Sequence, residues 1–95
     1  MEVTIRLTSI LATRFTENNK VIALKLEGKY SLVSLIDGLE GKFPGFQTAL
    51  QGKDGEIADG INIYVNGENV RYLEGLNTPL KQGDVINIIP AVTAG

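Results

Sequence analysis

Carboxylates and glycines are the residues of this 95-residue chain whose spacing first invites a chemical reading. Asp54, Glu56 and Asp59 fall in a glycine-rich stretch at 51–60, where neighbouring carboxylates can offer oxygens to Ca²⁺. Their spacing does not fit an EF-hand loop, and a solvated loop is the plainer reading. Asp37 and Glu40 stand three apart, which on a helix puts them on one face. A carboxylate pair can do general acid–base work, but with Lys42 beside it this one reads as a water-facing surface. Gly67, Gly75 and Gly83 are spread over separate turns with no helix start after them, so they make no phosphate-binding loop.

The absences narrow the chemistry further. The chain has no Cys, no His and no Trp. Without Cys there is no disulfide, no iron–sulfur cluster and no thiol nucleophile. Without His the commonest general base and metal ligand is missing, and with both gone nearly all structural zinc is excluded. Nine basic against 11 acidic residues give a net charge of −2, so a phosphate backbone finds no basic excess and nucleic acid is not the expected partner. No apolar run approaches the roughly 18 residues of a membrane span. The opening residues MEVTIRL lack the basic-then-apolar order of a signal peptide. No membrane and a cytoplasmic location are the expectations.

The elements that must position any site follow from periodicity. Val3, Ile5 and Leu7 alternate with polar neighbours, as a half-buried strand does. Residues 13–20 are polar and carry Asn18-Asn19, a turn signal. Ile22, Leu24 and Leu26 alternate again, and the two strands suggest an antiparallel hairpin. Ser31 is placed as an N-cap, its hydroxyl accepting from a first-turn amide. Leu32, Leu35, Ile36 and Leu39 then mark one helical face, extended by Phe43 and stopped by Pro44. Phe46, Ala49 and Leu50 suggest a second short helix. Ile61, Ile63 and Val65 predict a third strand. Asn66-Gly67 is a strong hairpin signal, with a returning strand expected over 68–72. The β-branched run 85–89 predicts a central strand covered at least partly on both faces, ended by Pro90. The order describes an α+β plan with one main helix on a mixed sheet of about five strands, the first and last strands side by side at its centre. That arrangement is the β-grasp.

The residues also carry a resemblance. Residues 3–7, the helix 31–43 with its following Pro-Gly, and the runs NIYVNGE at 62–68, VR at 70–71, GLNT at 75–78, QGD at 82–84 and IIPAV at 88–92 resemble the ThiS/MoaD sulfur-carrier family. That family has the ubiquitin-like β-grasp fold, and the resemblance covers essentially the whole chain. The longer loop 51–60 and the Asn-Ile-Tyr-Val-Asn run look most like the CysO type, then the MoaD type. The short ThiS type fits the length poorly. The division implied is a β-grasp domain over 1–90 and a flexible C-terminal tail over 91–95.

The resemblance implies chemistry on the Gly95 carboxylate. An E1-like adenylating enzyme would spend ATP to make an acyl-adenylate there. A sulfur donor would then displace AMP and leave a thiocarboxylate. The sulfur would pass to an acceptor enzyme, either of cysteine synthase type or a molybdopterin synthase large subunit. The chain itself would bind no cofactor and catalyse nothing, serving as a carrier or as a non-catalytic subunit of a molybdopterin synthase-like complex. Ala91, Val92, Thr93 and Ala94 would thread the end into partner sites. Five residues reach roughly 17 Å at about 3.4 Å each, Gly95 leaves no Cβ against the attacked carbonyl, and an uncharged tail avoids desolvating a charge. The family usually ends in Gly-Gly, and here Ala94 stands before Gly95. Either the channel accepts the extra methyl, or the end was trimmed from a longer chain, or the member is divergent.

Partner contact has its own candidates. Tyr64 and Tyr72 are placed on the sheet face away from the helix, where aromatics favour interfaces. Arg71 could meet an acidic patch on an E1-like partner, or be an ordinary exposed strand cation. Phe43 and Phe46 could also make a partner surface, with core packing at least as good a reading for Phe43. Two other functions stay open. One is a ubiquitin-like modifier conjugated through Gly95. The other is a β-grasp interaction domain without terminal chemistry. A β-grasp ferredoxin is excluded by the lack of Cys ligands.

Overall fold

The computed structural model describes residues 1–27 and 30–90. Strand β1 (Glu2–Leu7) is followed by helix α1 (Ser9–Phe15), strand β2 (Val21–Lys25), helices α2 (Leu32–Lys42) and α3 (Phe46–Leu50), and strands β3 (Ile61–Val65), β4 (Glu68–Asn69) and β5 (Val85–Pro90). The five strands lie in the order β2-β1-β5-β3-β4. β1 and β5 run parallel at the centre, with Thr4 opposite Val85 and Leu7 opposite Ile88. The other neighbours pair antiparallel. This is the expected mixed α+β sheet of β-grasp type.

One face of the sheet meets the helices. Val3, Ile5 and Leu7 of β1, Ile61, Ile63 and Val65 of β3, and Ile86 and Ile88 of β5 are all buried, which is the period-two pattern of a one-sided sheet. Leu32, Leu35, Ile36 and Leu39 of α2 are fully buried against them. Each such side chain contributes about 1.5–3 kcal/mol relative to staying in water. Phe46 completes the core from α3, with its ring centroid 5.1 Å from Phe15 and 6.3 Å from Phe43. It is fully buried, whereas Phe43 is half-buried.

Three expectations need correction. The polar connection 13–20 is not all turn: α1 occupies Ser9–Phe15 and buries Leu11 and Ala12. β1 and β2 do pair antiparallel, with this helix between them. Ser31 stands at the N-cap of α2 but makes no side-chain cap. Its hydroxyl lies 3.2 Å from that of Ser34, and the Leu32 amide donates instead to the Thr78 carbonyl at 2.9 Å. The returning strand stops at Asn69, and Val70–Tyr72 form a 3-10 turn. The Asn69 side chain accepts from the Arg71 amide at 3.0 Å, a local bond that competes with strand pairing. β5 is covered at least partly on both faces, as expected: Ile86 and Ile88 are buried on one, and on the other Val85 and Asn87 are half-buried while Ile89 is 39% exposed.

Two carboxylates on α2 have definite work. Glu40 accepts from the Gly45 amide at 2.9 Å and the Gln47 amide at 2.9 Å. It thereby supplies acceptors at the start of α3, whose N-cap Gly45 has φ +95° and no side chain of its own to do so. Asp37 accepts from the Gln47 side-chain amide. The pair therefore does more than face water.

Candidate functional site

The site begins where β5 ends. Pro90 is paired with Ile61 and Ile89 with Asn62 across the antiparallel β3–β5 ladder, while Ile88 faces Leu7 on the other side. The last described residue thus leaves from a strand held on both edges, next to the buried row of Ile88 and Ile63. Proline has no amide to donate, so its place at the end of the ladder costs no hydrogen bond further in.

The β3 side of this exit is braced. Arg71 Nη2 donates to the Ile61 carbonyl at 2.8 Å and to the Ala58 carbonyl at 2.9 Å. A guanidinium suits this because several donors lie in one rigid plane. One side chain on the 3-10 turn thereby joins the end of the long loop to the first residue of β3. Within that loop, Asp54 accepts from the Glu56 amide at 3.0 Å, Gln51 bridges to Ile57, and Ile57 is buried. Among the described residues no group of three or more carboxylates converges to hold a metal ion.

The far side of the sheet carries no helix. Register places Val21, Arg6, Asn87, Tyr64 and Asn69 in one row across all five strands. Val21 is 59% exposed, and Tyr64 and Asn87 are half-buried. This face offers apolar and hydrogen-bonding groups together. Tyr64 lies on it as expected. Tyr72 and Arg71 do not, because β4 ends before them. Tyr72 projects from the 3-10 turn at 88% exposure, and Arg71 is committed to two backbone carbonyls. The three candidate partner residues therefore do not share a sheet face, and Arg71 is neither a strand residue nor a cation without a partner. Gly95 and Ala91, Val92, Thr93 and Ala94 lie outside the described residues.

A second lock closes the opposite end of β5. Asn66 and Gly67 form the hairpin turn with φ of +51° and +88°. The Asn66 side-chain carbonyl accepts from the Val85 amide at 2.9 Å, and its Nδ2 donates to Asp84 Oδ1 at 2.8 Å. Asp84 is 2% exposed, and its second oxygen accepts from the Lys81 amide at 2.8 Å. Neither this lock nor the Arg71 brace is visible in the sequence, since the partners are 18 and 10 residues apart.

Comparison with known proteins fits this architecture. A model of the ThiS family matches residues 13–95. The chain belongs to the ThiS family. Along its full length it is 33% identical to the sulfur carrier protein CysO of Mycobacterium tuberculosis, covering 100% of both chains. Among solved structures, the Amycolatopsis orientalis BexX/CysO complex contains a chain similar at 33% identity and a TM-score of 0.81, over 98% of this chain and 99% of that one. The small archaeal modifier protein 1 of Methanosarcina acetivorans is similar at 31% identity and a TM-score of 0.78, over 99% and 96%. The resemblance read from the NIYVNGE and IIPAV runs therefore holds for the family, and its CysO leaning holds as well.

Proposed function

We propose that this sulfur carrier of the ThiS/CysO type works through the carboxylate of Gly95. The similarity to CysO over the full length of both chains carries the reading. A bare carboxylate is a poor electrophile. An E1-like partner that consumes ATP replaces the hydroxyl equivalent with AMP, a good leaving group. A sulfur nucleophile attacks the acyl carbon, the C–O bond to AMP breaks, and a thiocarboxylate remains. The chain is the substrate of this sequence and needs no catalytic side chain, which suits a protein without Cys or His.

The fold supports the role. A terminus that must enter two different active sites works best on a rigid stalk, and β5 is held by β1 as far as Ile88 and by β3 as far as Pro90. Residues 91–95 then supply the reach, and the open sheet face around Tyr64 supplies a docking surface. The acceptor we favour is an enzyme of cysteine synthase type, in line with the CysO likeness, before a molybdopterin synthase large subunit. The test is intact-mass measurement after incubation with an E1-like enzyme, ATP and a sulfur donor. The expected result is the mass gain of oxygen-to-sulfur exchange on the terminal peptide, absent when Gly95 is deleted. An unchanged mass beside an active E1-like enzyme would overturn the proposal.

The likeness to a small archaeal modifier protein favours one second reading, conjugation of Gly95 to lysines of other proteins. The same adenylate serves, with an amine in place of sulfur. Isopeptide-linked Gly95 remnants on other proteins would establish it, and their absence under E1-active conditions would end it.

A further inference from the structure

Asn66 is followed by Gly67, the pairing most open to attack of a backbone amide on a side-chain amide. Glycine has no Cβ to obstruct that approach. Both residues are exposed, so solvent access does not protect them. The geometry does. The Asn66 backbone amide donates to Val85 at 2.8 Å, its side-chain carbonyl is held by the Val85 amide, and its Nδ2 is held by Asp84. The side chain is drawn toward the start of β5 at both of its polar atoms.

We propose that Asn66 is a conformationally gated deamidation site whose product cannot re-form the lock. In the opened hairpin, water or hydroxide takes the proton of the Gly67 amide. That nitrogen attacks Asn66 Cγ, the Cγ–Nδ2 bond breaks, and ammonia leaves. Water then opens the cyclic imide to aspartate or isoaspartate. The net change is amide plus water to carboxylate plus ammonium, with no oxidant or reductant.

The product meets a hostile environment. A carboxylate at 66 sets an acceptor where Nδ2 donated, against a carboxylate that is 2% exposed. Like charges at such a distance repel strongly when poorly solvated. The cation nearest Asp84 is Lys81, 3.6 Å away, and it already serves Asp84. Isoaspartate adds a backbone carbon to a two-residue turn whose register, Val65 opposite Glu68, leaves no slack. Either product therefore favours the opened hairpin. The modification converts a transient opening into a lasting one, independently of any chemistry at Gly95.

Peptide mapping by mass spectrometry tests the gate. The intact protein and the same protein in denaturant are incubated at mildly alkaline pH, and deamidation at 66 is followed in both. The folded protein should react roughly ten-fold or more slowly, with the rate rising through sub-denaturing urea as local opening rises. Equal rates would overturn the gate. The Asn66→Asp variant tests the product and should melt at a lower temperature than the parent. The double variant Asn66→Asp/Asp84→Asn exchanges donor and acceptor, and should recover most of that loss. Retention of full stability by Asn66→Asp, or failure of the exchanged pair to recover it, would refute the lock.

Discussion

Arg71 Nη2 lies 2.8 Å from the carbonyl of Ile61, and Ile61 is the residue opposite Pro90 in the sheet. The last described pairing of β5 is thus steadied by a side chain that stands outside the sheet. A single guanidinium ties together the 3-10 turn, the long loop and the edge of the central ladder.

Removing that brace should loosen the loop. Arg71→Ala takes the guanidinium from the Ile61 carbonyl and from the Ala58 carbonyl, which keeps the Ile61 amide, and is expected to cost about 1 kcal/mol, the side chain being largely solvated. Arg71→Lys should recover only part, because both bonds come from one nitrogen held in the rigid guanidinium plane and an ammonium on a flexible stem does not fix that direction. Urea denaturation measures both, and an Arg71→Ala midpoint equal to the parent's would remove the brace from the account.

Phe46 carries more weight. It is fully buried between Phe15 and Phe43, so Phe46→Ala should cost about 3–5 kcal/mol. That is a large share of the roughly 5–15 kcal/mol that holds a domain together. Chemical denaturation should show an early or missing transition, and a shift below 1 kcal/mol, where roughly 3 is the least expected, would mean the site collapses without a cavity.

Glu40 tests a subtler contact. Glu40→Ala withdraws the acceptor from the Gly45 and Gln47 amides, with an expected loss of about 1 kcal/mol. For a domain of this size that is a fall in Tm of about 4–8 °C. Glu40→Gln keeps one acceptor oxygen and should fall between. Thermal melts of the three proteins give the order directly.

For the carrier reading, two substitutions should separate docking from chemistry. Tyr64→Asp puts a charge on the open sheet face; it should lower Tm, since Tyr64 is half-buried in β3, and should still weaken binding to the adenylating partner when measured well below that Tm. Ala94→Gly removes a methyl beside the attacked carbonyl and should hold or raise the rate of adenylation, read as ATP–pyrophosphate exchange. A fall in that rate would mean the partner's channel requires the methyl.

Much of the scaffold could be read before any coordinates, because it rests on short-range rules. The alternation at Val3-Ile5-Leu7, the stripe Leu32-Leu35-Ile36-Leu39 and the Asn66-Gly67 turn each depend on neighbours within a few positions. α1 escapes a reading of 13–20 as one hairpin turn, although Leu11, Ala12 and Phe15 have helical spacing. β4 ends sooner than Val70 and Tyr72, which suit strands, would suggest, because the Arg71 amide donates to the Asn69 side chain two residues back. Arg71 and Asp84 were beyond reach for another reason. Their roles depend on partners that only the closed sheet brings near. The role expected of residues 91–95 rests on resemblance alone, since no local rule separates an end that works from one that frays.

The parallel pairing of β1 with β5 has a consequence for biosynthesis. Thr4 must find Val85, so a ribosome has to make nearly all of the described chain before the middle of the sheet can close. Contacts this distant in sequence slow folding. A growing chain that lacks β5 has β1 with one edge unpaired, a surface inviting other strands. β5 is therefore the last of the five strands to be translated, and synthesis interrupted before it leaves an unclosed sheet.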